Sequence, residues 1–220
     1  MSRKTELSRW MDENFPANYS SISRRKPLYG VGINDARYCI TTIVDGKTVM
    51  DPCYRAWSNM LSRCYDESYS NLHTTYLCVT VCQEWLKFSS FREWWLDNHV
   101  DEYQLDKDLI HIGNKVYSPS RCAFIPQWLN KFTTDRGVLR GKFPIGVYWN
   151  KQQQVYMARC NNPYSGKNDY LGRFECHNLA HEAWKKRKLS LATELKPEMD
   201  AIDNRIYNNV ISIIKSLSPS

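Results

Sequence analysis

The thirty residues Ile145–Phe174 read IGVYWNKQQQVYMARCNNPYSGKNDYLGRF, and they decide how the rest of the chain is understood. Three runs rich in aromatic and β-branched residues, Ile145–Asn150, Val155–Cys160 and Tyr170–Phe174, are expected as strands. The second gap holds Asn161-Asn162-Pro163-Tyr164-Ser165-Gly166, a turn-forming segment. A helix is expected from about Cys176 to Leu195, stopping before Pro197, whose ring cannot continue it. With that helix on one face, a three-stranded sheet keeps its other face free. Alternation along a strand then puts Tyr148 with Asn150, and Arg159 with Asn161, on a common face.

Charge gathers round the same stretch. The 220 residues carry a formal net charge of +7. Residues 1–135 hold 16 basic and 16 acidic side chains, residues 136–196 hold 12 against 4, and residues 197–220 hold 2 against 3. All of the excess sits in one 61-residue block, which points to an anionic partner, with nucleic acid first. Lys151, Arg159, Lys167 and Arg173 are interleaved there with Tyr148, Asn150, Asn161, Asn168 and Tyr170. Arg and Asn pair with base edges, while Lys and Arg neutralise phosphates.

Working back from this block, Thr133–Lys142 (TTDRGVLRGK) has two glycines and little apolar content, as an interdomain linker would. Before it, Leu105–Ile112 is expected as a strand and Gly113-Asn114 as a turn. A second strand near Cys122–Ile125 and a helix from about Pro126 to Phe132 complete a ββα unit. Asp51-Pro52 opens a helix whose apolar stripe is Tyr54, Trp57, Leu61, Cys64 and Tyr65. Thr74–Val81 reads as a buried strand. Gln83–Asn98 reads as a second helix, with Trp85, Phe88, Phe91, Trp94 and Trp95 forming core. Residues 1–28 predict a short helix at most, then an exposed basic linker. A last helix, about Asp200 to Leu217, aligns Ile202, Ile206, Val210, Ile213, Ile214 and Leu217. That stripe either docks on the chain itself or joins two copies as a homodimer.

An apolar share of 42% and a charged share of 24% describe an ordinary globular protein. Uncharged apolar runs fall far short of the ~20 residues that span a bilayer. The opening MSRKTELSRWMDENF has no apolar signal core, so a cytoplasmic protein without a membrane partner is expected. In such a compartment the eight cysteines are expected as free thiols. Cys78 and Cys82 have no second tight pair beside them, so zinc is not expected either.

Several of these residues resemble a known family. Gly146-Val147, Tyr156-Met157-Ala158, Tyr170-Leu171-Gly172-Arg173-Phe174 and a helix with Ala180, Ala183 and Trp184 look like the AP2-type DNA-binding domain. The resemblance implies a three-stranded antiparallel sheet that lies in the major groove of double-stranded DNA. Carried over by position, Tyr148, Asn150, Arg159, Asn161, Asn168 and Tyr170 would face the duplex, with Lys151, Lys167 and Arg173 beside them.

Residues 52–132 resemble HNH-type proteins of tailed bacteriophages, many of them homing endonucleases in which a ββα-metal unit precedes an AP2-like domain. The likeness rests on Tyr54-Arg55-Ala56-Trp57, Val81-Cys82-Gln83-Glu84-Trp85, Leu105-Asp106-Lys107-Asp108 and Gly113-Asn114-Lys115-Val116-Tyr117-Ser118-Pro119. It implies an α+β chain with a basic extension (1–30), an HNH-like domain (31–135), an AP2-like domain (144–196) and a C-terminal helix (197–220). A phage-encoded protein of this kind would act in the host cytoplasm. The implied chemistry is phosphodiester hydrolysis with Mg²⁺ or another divalent metal. Asp106, Asp108 and Asn130 would be the metal ligands.

The family's base histidine follows an aspartate, but here Asp106 is followed by Lys107. A lysine flanked by Asp106 and Asp108 stays protonated at neutral pH and is a poor base. His111 is the nearest substitute, five residues on, although an odd separation along a strand points it to the opposite face. His73 is expected in a loop, His99 at a helix end, and His177 and His181 one turn apart on a helix surface. The catalytic candidates are therefore Asp106, Lys107, His111 and Asn130. Two readings stand side by side: an endonuclease with rerouted catalysis, and an inactive DNA-binding protein that regulates or protects DNA by occupancy. An RNA-binding or protein-interaction module is a third, less suited to a sheet-plus-helix duplex reader.

Overall fold

The computed structural model describes residues 2–134 and 142–217. It is an α+β chain that divides into two compact units, Met1–Phe124 and Ile125–Ser220. Most of the expected linker Thr133–Lys142 lies outside the described residues. Among the described residues no helix is long and apolar enough to cross a membrane.

The first unit opens with α1 (Arg3–Asn14), where only a short helix was expected. Thr5, Ser8 and Met11 are its buried positions, so small hydroxyl residues make most of its inner face and the apolar period is faint. Ser2 caps it, and Asp101 adds acceptors for Ser2 Oγ (3.0 Å), the Arg3 amide (2.7 Å) and the Lys4 amide (3.3 Å). After α2 (Tyr19–Ser23), the stretch expected as a basic linker is tied down instead. The Arg25 guanidinium donates to the carbonyls of Asn34, Ala36 and Tyr38.

Next comes a hairpin that the sequence reading missed, β1 (Thr41–Val44) and β2 (Lys47–Met50). Its turn is Asp45-Gly46, both at positive φ (48° and 73°), the pairing that a two-residue hairpin turn demands. Asp51 and Pro52 open α3 (Pro52–Tyr65) as expected, with Asp51 accepting from the Cys53 amide at 2.7 Å. Asp51 is also fully buried, and its other oxygen accepts from Ser8 Oγ (3.1 Å) and the Tyr38 hydroxyl. A short helix, α4 (Glu67–Leu72), comes after it.

Thr74–Val81 is not a buried strand. Thr74–Tyr76 is a 3-10 turn, Cys78 takes a positive φ of 64°, and only β3 (Thr80–Val81) is extended. Composition favours a strand, but a strand needs a partner, and among the described residues only β5 (Val116–Tyr117) is offered, in parallel, over two residues. The expected Gln83–Asn98 helix is broken in two. Gln83–Leu86 is a 3-10 turn and α5 runs Phe88–Asn98. Between them Lys87 is extended because Ile33 takes the Leu86 carbonyl and supplies its own to the Phe88 amide. The aromatic core still forms: Trp57, Trp85, Phe88, Phe91 and Trp95 are all at most 1% exposed.

The strand expected over Leu105–Ile112 is shorter. β4 covers Tyr103–Asp106, and residues 107–113 are bends and a turn. β4 pairs with β6 (Ala123–Pro126), the strand in which the first unit ends, and α6 (Gln127–Thr133) succeeds it.

The second unit contains β7 (Val147–Asn150), β8 (Val155–Asn162), β9 (Lys167–Phe174) and α7 (His177–Glu194). The strands pair antiparallel in the order β7-β8-β9, with α7 on one face. Val147, Ala158 and Ala180 form the buried contact, and Tyr156, Leu171, Phe174 and Ala183 surround it. Gly146 lets this happen. Its φ is +83°, and a Cβ there would fall inside the indole of Trp184.

After α8 (Lys196–Asp200), α9 (Ile206–Ser216) buries Ile206, Val210 and Ile214 against its own unit, packing on α7. The stripe expected to dock or to dimerise is therefore filled in cis. His181 is not on the surface. It is fully buried on α7, its ring nitrogens 3.0 Å from the Ile145 carbonyl and 3.3 Å from that of Leu217.

Candidate nucleic-acid interface

Strand pairing fixes which side chains share the face opposite α7. Tyr148 pairs with Met157 and Met157 with Arg173; Asn150 pairs with Val155; Arg159 pairs with Tyr170; Asn161 pairs with Asn168. Tyr148, Asn150, Arg159, Asn161, Asn168, Tyr170 and Arg173 therefore lie together; alternation pairs Tyr148 with Asn150 and Arg159 with Asn161, and a register shift in β9 brings Arg173 to the side of Tyr170. Among the paired residues of the three strands the one acid is Asp169, which pairs with Cys160 on the other face.

The face has two parts. Met157 floors the first, only 9% exposed, beneath Tyr148 and Asn150. Asn150 is committed there: its Oδ1 accepts the Gln152 and Gln153 amides (3.0 and 3.1 Å), holding the β7–β8 turn, and its amide nitrogen meets Met157 Sδ. Expected as a base contact, it is a turn-former. Lys151 is exposed in that turn.

Beyond Ala158 the sheet narrows to two strands, since β7 ends its pairing there. Leu171 is left without a partner at a bulge, and Gly172 takes φ +122°. Such a bulge sharpens the local twist and re-aims the strands beyond it. Those strands form a β8–β9 ribbon bearing Arg159, Asn161, Asn168 and Tyr170, all exposed. Arg159 reaches back over the Tyr148 ring, 4.9 Å from its centroid. Lys167 is exposed too, but it pairs with Asn162 and so belongs to the face opposite Asn168.

The basic block is thinner at the surface than its sequence suggests. Lys185 donates to the carbonyls of Lys215 (2.8 Å) and Leu217 (3.2 Å). Arg187 binds Asp169 (2.8 Å) and Glu194 (3.0 Å), which holds the Asp169 carboxyl below its usual range. Lys188 is buried, its ammonium 3.5 Å from the Phe132 ring centroid. That leaves Lys151, Arg159, Lys167, Arg173 and Lys186 as exposed cations of the sheet and helix. Beside Arg159 and Asn161 a cleft of about 230 Å³ also takes in Lys131 and Lys188, with no carboxylate among the described residues of its lining.

Burial pushes the Lys188 ammonium down from 10.5 to about 8. By that difference the fold disfavours the charged form by about 3 kcal/mol. Below pH 8 both folded and unfolded states are protonated and the whole penalty applies. Between about 8 and 10.5 the unfolded chain holds more protons, so stability rises with pH. Lys188→Met should therefore stabilise the protein at pH 7 by on the order of 1–2 kcal/mol, with the advantage fading towards pH 10. Urea titrations of both proteins at pH 7 and 9.5 check this. A Met variant less stable at pH 7 contradicts it.

The residues expected to hydrolyse DNA are arranged otherwise. Asp106 ends β4 with its Oδ1 accepting the Asp108 and Leu109 amides (2.9 and 2.8 Å), an aspartate turn that starts the loop. Its burial raises the carboxyl above the usual range, more than these bonds lower it. Lys107, only 6% exposed, donates to Asp108 Oδ1 (2.5 Å) and the Asn114 carbonyl (3.2 Å), with the Tyr76 ring 5.9 Å away. Asn114 in turn binds the carbonyls of Lys107 and Val116 (2.8 Å each). His111 is exposed in the loop, past the end of β4, so strand parity does not apply to it. Asn130 lies on α6 in the second unit.

These donors do not suit a divalent ion. Asp108 is already neutralised by a lysine, Asp106 spends an oxygen on two backbone amides, and a buried ammonium stands between them. Among the described residues no group of three or more His, Cys, Asp and Glu side chains could hold a metal. All eight cysteines are free, and burial pushes the Cys64 and Cys122 thiols up to about 12.

No protein-family model, no curated protein and no solved structure matches the chain.

Proposed function

We propose that the protein binds double-stranded DNA through the β8–β9 ribbon and acts by occupancy, without hydrolysing its target at residues 106–114. One observation carries the reading. A two-stranded ribbon projects past its sheet with Arg159, Asn161, Asn168 and Tyr170 exposed on a single face, and the one acid among its paired residues, Asp169, is on the other. A two-stranded ribbon is an element that B-DNA's major groove admits. Arg159 and the two asparagines are the side chains that read guanine and adenine edges there. Lys151 in the β7–β8 turn and Arg173 on the same face would meet phosphates. The resemblance to AP2-type domains agrees with this placement. That to HNH-type phage proteins does not extend to the chemistry, because Lys107 is a fixed donor where a base must accept.

Fluorescence anisotropy with a labelled random-sequence duplex tests the reading. Raising salt from 50 to 200 mM should weaken binding on the order of a hundredfold, as four or five neutralised phosphates would require. Arg159→Ala should weaken it by about 10- to 100-fold and flatten the salt slope by about one. Binding that ignores salt, or that survives Arg159→Ala with Asn161→Ala unchanged, overturns the proposal. Nicking of supercoiled plasmid in Mg²⁺ that is lost in Asp106→Ala would overturn its second half and restore the endonuclease.

A further inference from the structure

The first unit contains a cavity of about 640 Å³ that the DNA-binding reading does not use. It is lined from α1, β2, α3, the end of α5, β4 and Phe124, all within that unit. The floor is apolar, with Ala56, Met60, Leu105 and Phe124. Along its side α3 presents Arg55, Asn59 and Arg63 at spacings of four, one above the other on a helical face. Lys4 of α1 completes a set of three cations, and among the described residues no Asp or Glu lines the cavity. Lys4 reaches Glu102 at 3.7 Å, whereas among the described residues no carboxylate pairs with Arg55 or Arg63.

Two buried rings in the lining are short of partners. Trp95 is 1% exposed and, among the described residues, its indole N–H has no acceptor. The side chain of His99 is 5% exposed, stacked on Trp95 with centroids 4.3 Å apart. Neither of its ring nitrogens has a hydrogen bond to a described residue, and the nearby carboxylate oxygen of Asp101 stands 3.5 Å from Nε2. Burial, and then the nearby Lys4 charge, lower the proton affinity of His99. A buried N–H without an acceptor costs roughly 1–3 kcal/mol, so fold stability alone does not explain the pair.

We propose that this cavity is a binding site for a small amphipathic organic anion, an apolar ring body bearing one carboxylate, sulfonate or phosphate. The volume falls in the range of about 300–1,000 Å³ that such ligands occupy. The body would lie on Ala56, Met60, Leu105 and Phe124, the anionic head against Arg55 and Arg63, and a polar acceptor on the body would satisfy Trp95 or His99. Arg55 and Arg63, with no carboxylate partner among the described residues, select an anion, and the apolar floor selects against inorganic phosphate. The inference does not depend on the ribbon.

The full-length protein titrated with 8-anilinonaphthalene-1-sulfonate tests it, monitored by calorimetry and by dye fluorescence. One saturable site is expected. Ala56→Trp, which fills the cavity from its half-buried wall, should abolish binding, with circular dichroism confirming that the variant is folded. Arg55→Gln with Arg63→Gln should weaken binding about tenfold, the loss of charge-assisted contacts to the head group. The neutral 2-naphthol should bind at least tenfold less tightly than 2-naphthoate if the cations select, as charged hydrogen bonds require. No saturable site, several equivalent sites unaffected by Ala56→Trp, or equal binding of naphthol and naphthoate would each overturn the proposal. So would displacement of the dye by a duplex oligonucleotide whose own affinity falls in Ala56→Trp, since the cavity would then belong to a nucleic-acid surface.

Discussion

Gly146→Ala should unfold the second unit, or nearly so, and abolish DNA binding with it. Gly146 has a φ of +83°, where any side chain is strained by about 1 kcal/mol or more. Steric overlap adds a larger cost. The new methyl would sit 2.8 Å from Trp184 Cβ and closer still to the ring carbons Cγ and Cδ1. Trp184 is 3% exposed on α7 and cannot swing aside without opening the Val147–Ala158–Ala180 contact that holds helix to sheet. The backbone is held as well, because the Gly146 carbonyl accepts from the Arg159 amide at 2.9 Å, at the root of the ribbon. A loss of about 3–5 kcal/mol is expected, in the range of severe overpacking combined with backbone strain. Trp fluorescence in urea should show an early transition for this unit. A variant that melts within two degrees or so of the wild type would mean that α7 can slide on the sheet, contrary to the packing described.

Asp51→Ala is expected to be comparably damaging to the first unit. Asp51 is fully buried and serves three donors from three segments: the Cys53 amide, Ser8 Oγ of α1 and the Tyr38 hydroxyl. Arg92 of α5 joins the group, reaching Ser8 Oγ (3.3 Å) and its carbonyl (3.2 Å) and covering the Tyr38 ring at 5.1 Å. Removing the carboxylate deletes a helix cap, worth about 1 kcal/mol, and strands two buried hydroxyls at about 1–3 kcal/mol each. It also leaves Arg92 with Asp12 as its carboxylate partner. Together these losses come to about 3–7 kcal/mol. Asp51→Asn keeps the oxygen that caps α3 and should recover a third to a half of the loss, as the N-cap ranking implies. Equal losses for the two variants would mean that the charge near Arg92 matters and the cap does not.

The parts of the molecule that are legible in the sequence are those whose signal is local. Helix α7 and the three strands announce themselves by period, and the ribbon face comes from alternation alone. The aromatic residues of α5 are recognisable as core even though Lys87 breaks the helix, because burial depends on hydrophobicity and the break on a distant carbonyl from Ile33. Helix α1 is illegible because small hydroxyls line its inner face. The Asp45-Gly46 hairpin is legible as well: TTIVDGKTVM carries both the turn pair and the flanking β-branched residues. Charge misleads most. Lys185, Arg187 and Lys188 count fully in a sequence sum, yet each is spent on a carbonyl, a carboxylate or an aromatic ring that only folding brings near. The cavity is out of reach for the same reason, its walls coming from segments scattered between Lys4 and Phe124.

The cap on α1 has a consequence in time. The amides of Arg3 and Lys4, and the hydroxyl of Ser2, all lean on a carboxylate about a hundred positions further along the chain. A twelve-residue helix with so polar an inner face is marginal alone in water. During synthesis its segment leaves the ribosome ahead of Asp101, and its cap cannot be completed until that residue has emerged, several seconds later at ordinary elongation rates. This helix is therefore closed long after it is made, whereas the β8–β9 hairpin, whose partners are close in sequence, can form without waiting for anything upstream.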